Sequence, residues 1–154
     1  MSTLRLSLGS DDTGDVLDAV VEDVSRRGHQ LTLHEPEQWP DVAHKVACDV
    51  AEGRADQGIL FCWTGTGTCM AANKVPGVRA ALAWEPWIAE GARLWNDANV
   101  LVMSLKRTTP DMALAILDAW FKVETPDESE AANIARLKEI ERRYAASDSV
   151  TPSK

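Results

Sequence analysis

The chain is sparing with the residues that usually announce a cofactor or a large partner. Its 154 residues include three cysteines, three histidines, two phenylalanines and one tyrosine. Cys48, Cys62 and Cys69 form an odd set with no CxxC pair, which excludes a disulfide framework and reads as reduced thiols. His29, His34 and His44 show no ligand spacing, so no metal is expected. No stretch approaches the roughly eighteen apolar residues of a membrane span. The opening MSTLRLSLGSDDTGD turns acidic before a signal-peptide core can form, and a cytoplasmic location is expected. No basic block of five or more occurs, and 16 Lys and Arg against 24 Asp and Glu leave a formal charge of -8. Nucleic acid and anionic membrane are thereby excluded as main partners.

What is present is a globular balance, 45% hydrophobic and 26% charged, in a length that suits one domain with a real core. Six tryptophans outnumber the other aromatics, and their positions matter below.

The run Leu4 to Leu8 alternates and stops at Gly9-Ser10-Asp11-Asp12, a strand ending in a turn. Val16, Leu17, Val20, Val21 and Val24 then repeat at helical spacing up to Arg26-Arg27-Gly28. Leu31 to Leu33 predicts a short strand, Pro36 to Pro40 a loop, and Val42, Val46 and Val50 a second amphipathic helix ending at Gly53. Gly58 to Cys62 is almost wholly apolar, the pattern of a strand buried on both faces. A Gly-rich turn, Thr64 to Thr68, leads to a short helix starting near Cys69. Strands at Val78 to Leu82 and Ala98 to Met103 alternate with helices at 86–94 and 110–121. Such alternation implies an α/β fold, a Rossmann-like sandwich of three layers whose five-stranded, mainly parallel sheet carries helices on both faces. Ligands in such sheets bind at the carboxyl ends of the strands near the switch point. The tract 124–130 is an acidic break before a last helix at about 129–146, whose Ile134, Leu137, Ile140 and Tyr144 must cover their own sheet or a second subunit. One domain over 1–146 is expected, with a frayed tail at 147–154.

Cys62, ending a buried strand ahead of Trp63-Thr64-Gly65-Thr66-Gly67-Thr68 and a helix, is the densest constellation. Glycines let backbone N–H groups converge on an anion or oxyanion, and the same field favours thiolate as base or nucleophile. The plain alternative is a small buried hydrophobe beside a turn. Asp11 and Asp12 either cap the helix that begins near Thr13 or exchange protons with a substrate hydroxyl. Asn73, Asn96 and Asn99 either satisfy turns or contact ligand. His29 and His34 bracket a short strand and read as surface histidines.

Gly9-Ser10-Asp11-Asp12-Thr13-Gly14, Gly58-Ile59-Leu60-Phe61-Cys62, Thr64-Gly65-Thr66-Gly67, the segment AANKVPGVRA at 71–80 and Asn96-Asp97-Ala98-Asn99-Val100 occur in a family-specific order and spacing. In them the chain resembles type B ribose-5-phosphate isomerases and the related galactose-6-phosphate isomerase subunits. The resemblance covers about residues 4–121 and continues weakly into the last helix. It implies aldose–ketose isomerisation through a cis-enediol without metal or organic cofactor, and a homodimer or tetramer with the site near a subunit boundary and the terminal helix on a neighbour. By position, Cys62 matches the catalytic base of the cysteine-using branch, and Thr64 with the Gly65 to Gly67 amides matches the anion hole. Asn96 matches a substrate-oxygen contact and Asp11 the first-loop aspartate.

The departures from the family pattern are specific. Asp12 stands where the family has a ring-opening histidine, and Trp95 where a second histidine precedes the Asn-Asp pair. Trp63 replaces a glycine. Glu128-Ser129-Glu130 and Asn133 occupy the segment where relatives place phosphate-binding cations, leaving Lys106 or Arg107 as the remaining clamp. Trp63, Trp84, Trp87 and Trp95 are expected in loops or helix starts around the pocket mouth, with Trp39 at the rim and Trp120 in the core. The expectation is a divergent isomerase with Cys62 as base, Asp11 and Asp12 in proton exchange, and Trp63, Gly65, Thr66, Gly67, Thr68, Asn96, Trp84, Trp87, Trp95, Lys106 and Arg107 around a small-molecule substrate. That substrate is expected to be altered, non-phosphorylated or aromatic. The alternatives are an ordinary pentose- or hexose-phosphate isomerase and a non-catalytic ligand-binding pseudoenzyme.

Overall fold

The computed structural model describes residues 2–145. The tail at 147–154, expected to fray, lies outside that range, as does residue 146. Strands β1 (Arg5–Ser10), β2 (Gln30–Leu33), β3 (Gln57–Cys62), β4 (Ala80–Leu82) and β5 (Val100–Ser104) form one sheet in the order β2-β1-β3-β5-β4. Every pairing is parallel. The helices are α1 (Asp15–Arg26), α2 (Trp39–Ala51), α3 (Thr66–Ala72), α4 (Pro86–Asn96), α5 (Pro110–Lys122) and α6 (Ala131–Ala145), the last preceded by a 3-10 turn, Glu128–Glu130.

Successive strand residues point to opposite faces, and this alternation sorts the core into two layers. Leu6, Leu8, Ile59, Phe61, Leu101 and Met103 pack under α1, α4 and α5. Leu60, Val100 and Val102 pack under α2 and α3 with Val46 and Ala72. Trp120 is fully buried as expected, its indole N–H donating to Gln57 Oε1 at 2.8 Å. Burying so large a side chain contributes about 2–3 kcal/mol.

The chain leaves β1 towards β2 and returns across it to β3, so the switch point lies between β1 and β3. Ser10 there pairs with Phe61, which sets the loops after the two strands side by side.

Several boundaries differ from the sequence expectation. Helix α2 begins at Trp39, inside the expected loop, because Pro40 in the first turn loses no needed donor and already holds a helical φ. Helix α3 starts at Thr66 rather than near Cys69, behind Gly65 at φ 81°. Neither Asp11 nor Asp12 caps α1; the cap position is Gly14, without a side-chain bond. His29 is buried, its Nδ1 accepting from the Leu4 N–H at 3.1 Å and its ring against Phe121, so it is no surface histidine. His34 is half-buried and bonds Asp49 at 2.8 Å and Ser7 at 3.1 Å. Helix α6 buries none of its residues; Leu137, Ile140 and Tyr144 are exposed, so the apolar stripe does not cover its own sheet.

Candidate active site

Cys62 closes β3 with only 4% of its surface exposed. The chain turns at once: Gly65 takes a left-handed φ, and a Cβ there would meet Leu82 Cδ1 at 2.5 Å and the Met103 backbone at 3.2 Å. Only glycine fits. The turn brings two donors onto the sulfur, the Gly65 N–H at 3.2 Å and the Thr68 hydroxyl at 3.4 Å. The Gly65 N–H points at the sulfur, while Thr68 Oγ1 is equally 3.4 Å from the Gly65 carbonyl oxygen.

The next residues form the mouth. Thr64 and Thr66 are exposed, with hydroxyl oxygens 2.7 Å apart, and Thr64 Oγ1 accepts from the Thr66 N–H at 3.3 Å. Gly67 packs beneath Trp39, whose ring lies 3.0 Å from where a Cβ would stand. Thr68 is fully buried, so its hydroxyl faces Cys62 rather than a ligand.

The β1 loop sits opposite. Asp12 Oδ1 accepts from the Thr13 N–H at 2.8 Å, and Oδ2 accepts from the Trp63 indole N–H at 3.2 Å. Those two bonds, the backbone one first, hold the Asp12 carboxyl below its ordinary range. Its neighbour moves the other way: burial first, and the Asp12 charge after it, push Asp11 up, and Asp11 Oδ1 is buried without a partner. Adjacent carboxyls are thus split into one that stays ionised and one that holds its proton to higher pH.

The loop after β5 supplies the third wall. Ser104, which sequence reasoning did not single out, donates from Oγ to the Trp63 carbonyl at 2.7 Å and accepts from the Arg107 N–H at 3.0 Å. The Lys106 ammonium lies 4.8 Å over the Trp63 ring. Asp12, Trp63 and Lys106 therefore form one clasp at the mouth, and Arg107 is exposed beside it.

The remaining expected residues are divided between the two ends of the sheet, Trp84 and Trp87 at the carboxyl end. Trp84 and Trp87 are exposed where β4 passes into α4. Trp95, expected in a loop or helix start, is in the last turn of α4, edge-on to Trp87 with ring centroids 5.7 Å apart. Helix α4 runs back against the strands, so its last residue, Asn96, is at the opposite end of the sheet from Cys62. Asn96 lines a cavity of about 750 Å³ with Asn73, Arg79, Leu137, Ile140 and Tyr144, between α6 and the sheet's amino end. The 3-10 turn belongs to that end too, since the Asp127 N–H donates to the Leu94 carbonyl at 2.7 Å. Within one chain, then, Asn96 and Trp95 do not join the Cys62 cluster. The signal that places them is topological: a helix after a parallel strand ends at the strands' starting edge.

A five-stranded parallel sheet of this order, covered by helices on both faces, with a thiol and a Gly-rich turn at its switch point, defines an α/β protein of Rossmann-like class. The family profile for ribose/galactose isomerases matches residues 6–140. The chain is 32% identical over 145 residues to ribose-5-phosphate isomerase B of Escherichia coli, covering 90% of this chain and 97% of that one. It is 30% identical over 141 residues to D-erythrulose-4-phosphate isomerase of Pectobacterium atrosepticum, covering 87% and 93%. The solved structure of Clostridium thermocellum ribose-5-phosphate isomerase B superposes with a TM-score of 0.86 at 35% identity, covering 91% of this chain and 99% of that one. The chain belongs to the ribose/galactose isomerase family and is, by that resemblance, a sugar-phosphate-type isomerase.

Proposed function

We propose that this isomerase moves a proton between adjacent carbons of a hydroxy-carbonyl substrate through an enediolate, with Cys62 Sγ as base. The observation that carries this reading is the convergence of the Gly65 N–H and the Thr68 hydroxyl on that sulfur. A thiolate so held takes the proton from carbon, and the developing oxyanion faces the Thr64 to Gly67 turn, where hydroxyls and first-turn amides supply donors. Asp11, the carboxyl kept protonated to higher pH, delivers a proton to substrate oxygen. Asp12 stays ionised and holds the Trp63 indole.

The proposed substrate departs from the usual sugar phosphate. Lys106 is engaged over Trp63, and the exposed Glu128 and half-buried Glu130 occupy the segment where the family resemblance places phosphate-binding cations. A dianion would meet repulsion there. The aromatic mouth suits a less charged sugar or an aromatic hydroxy-carbonyl compound, since indoles stack on rings and sugar faces. An ordinary sugar-phosphate reading draws support from Lys106 and Arg107, two cations on one loop beside Cys62.

We place the working protein in the cytoplasm as a homodimer or tetramer. A second copy lets the far end of one chain, carrying Asn96 and the 3-10 turn, meet the Cys62 loop of another. Turnover tests the set. Wild type incubated with candidate substrates in D2O incorporates deuterium at the carbon next to the carbonyl, and Cys62→Ala does not. Equal incorporation by both removes Cys62 as base, and family-typical rates on D-ribose 5-phosphate remove the altered substrate. Mixing Cys62→Ala with Asn96→Ala restores part of the activity that each lacks alone if sites are shared between chains; no restoration sinks the shared site.

A further inference from the structure

We infer that Thr68 is a positioning residue for Cys62, its hydroxyl proton following the protonation state of the sulfur. This rests on the reading of Cys62 as base and adds how that base is held through both halves of a turnover. Thr68 is 0% exposed, so it cannot touch a substrate. Its Oγ1 is 3.4 Å from Cys62 Sγ and also 3.4 Å from the Gly65 carbonyl oxygen.

A hydroxyl has one proton to donate and lone pairs with which to accept. The Gly65 carbonyl already takes the Cys69 N–H at 3.1 Å, so it can spare the Thr68 proton. When the sulfur is a thiolate, the hydroxyl turns to it and, with the Gly65 N–H, gives it two donors. When the sulfur has taken a proton from substrate carbon, S–H needs an acceptor. Thr68 Oγ1 becomes that acceptor and turns its own proton to the Gly65 carbonyl. Thr68 gains and loses no proton in the cycle; the proton taken from carbon resides on sulfur until it returns to the neighbouring carbon. A buried polar group left unmatched in either state would be costly, and one bond rotation avoids it in both.

The test reads the sulfur directly and needs no substrate. Thiolate absorbance near 240 nm at pH 8 is measured as the difference between each protein and its own Cys62→Ala counterpart, which removes the Cys48 and Cys69 background. Thr68→Val keeps the shape and loses the hydroxyl; the Cys62 thiolate signal is expected to fall about fivefold. Thr68→Ser restores it to within about twofold of wild type. Should Thr68→Val fail to fold, Thr68→Ala removes the same hydroxyl without overpacking and shows the same loss. A wild-type signal in the folded hydroxyl-less variant overturns the inference, and so does a serine variant that behaves like valine, which would assign the effect to the methyl group. The failure of Cys62 as base is a separate result, seen as unchanged deuterium incorporation in Cys62→Ala.

Discussion

The two ends of the sheet are finished to different degrees. At the carboxyl end, the loops after β1, β3 and β5 are wired to one another: Trp63 is held by Asp12 through its indole and by Ser104 and Lys106 through its carbonyl, while Gly65 and Thr68 hold Cys62. At the amino end, α6 buries no residue, exposes Leu137 and Ile140, and leaves a cavity of about 750 Å³ between itself and the sheet. On the proposed function the tightly bonded cluster carries the proton transfer, and the cavity end contributes only through a second copy. Volume alone points to the amino end; convergent donors and split carboxyls favour the carboxyl end.

The largest expected effect tests whether the wired end carries the reaction. Cys62→Ala should lower turnover by about 10²–10⁴-fold with the fold unchanged, the span ordinary for losing a general base. Rates on the best substrate, with circular dichroism as the fold control, check it. Next comes the turn that makes the wiring possible. Gly65→Ala forces a methyl onto Leu82 at 2.5 Å in a left-handed backbone and should cost about 3 kcal/mol, read by denaturant unfolding. A cost under about 1 kcal/mol would mean that the loop yields easily and is no rigid cradle.

At the other end the comparison predicts the reverse, association lost with little cost to the single chain. Leu137→Glu with Ile140→Glu should reduce the sedimenting mass to that of one chain and change the unfolding free energy of that chain by no more than about 0.5 kcal/mol, because neither side chain is buried. A large loss of stability with unchanged mass would instead make α6 part of the domain's own core.

How far these contrasts were legible in sequence depends on what each residue type can signal. The run Gly58 to Cys62 could be read as a central strand because parallel strands are apolar on both faces, and the α5 core could be read from Trp120 and its helical spacing. The Cys62 turn was visible as a concentration of glycines. The sorting of tryptophans was not, since an indole serves equally in a core, a clasp or an exposed face. His29 was misread because burial comes from a backbone N–H some distance away in sequence, Leu4, that no local pattern reports. Thr68 could be named as a loop residue, but its direction depends on how α3 starts, and that is fixed by the left-handed Gly65 one turn earlier.

Asp11 offers the smallest effect and the finest test of the wired end. Its carboxyl lies above its ordinary range, through burial first and the Asp12 charge after it, so the folded protein holds this proton more tightly than the unfolded chain does. Below the unfolded value of about 3.8 both states are protonated and the group costs nothing. As pH rises through that value the unfolded chain releases its proton first, and the penalty on folding grows until the folded carboxyl has ionised too, above which it stays constant. The penalty arises because ionisation would place charge on a carboxyl whose Oδ1 is buried without a partner. Asp11→Asn removes the charge and should raise the melting temperature at pH 7 by about 1–3 °C, with the gain gone near pH 3. A gain that persists at low pH would trace to packing rather than charge. If the variant is also slow in turnover, the same carboxyl that weakens the fold is the one that delivers the proton, and the instability belongs to the site's function.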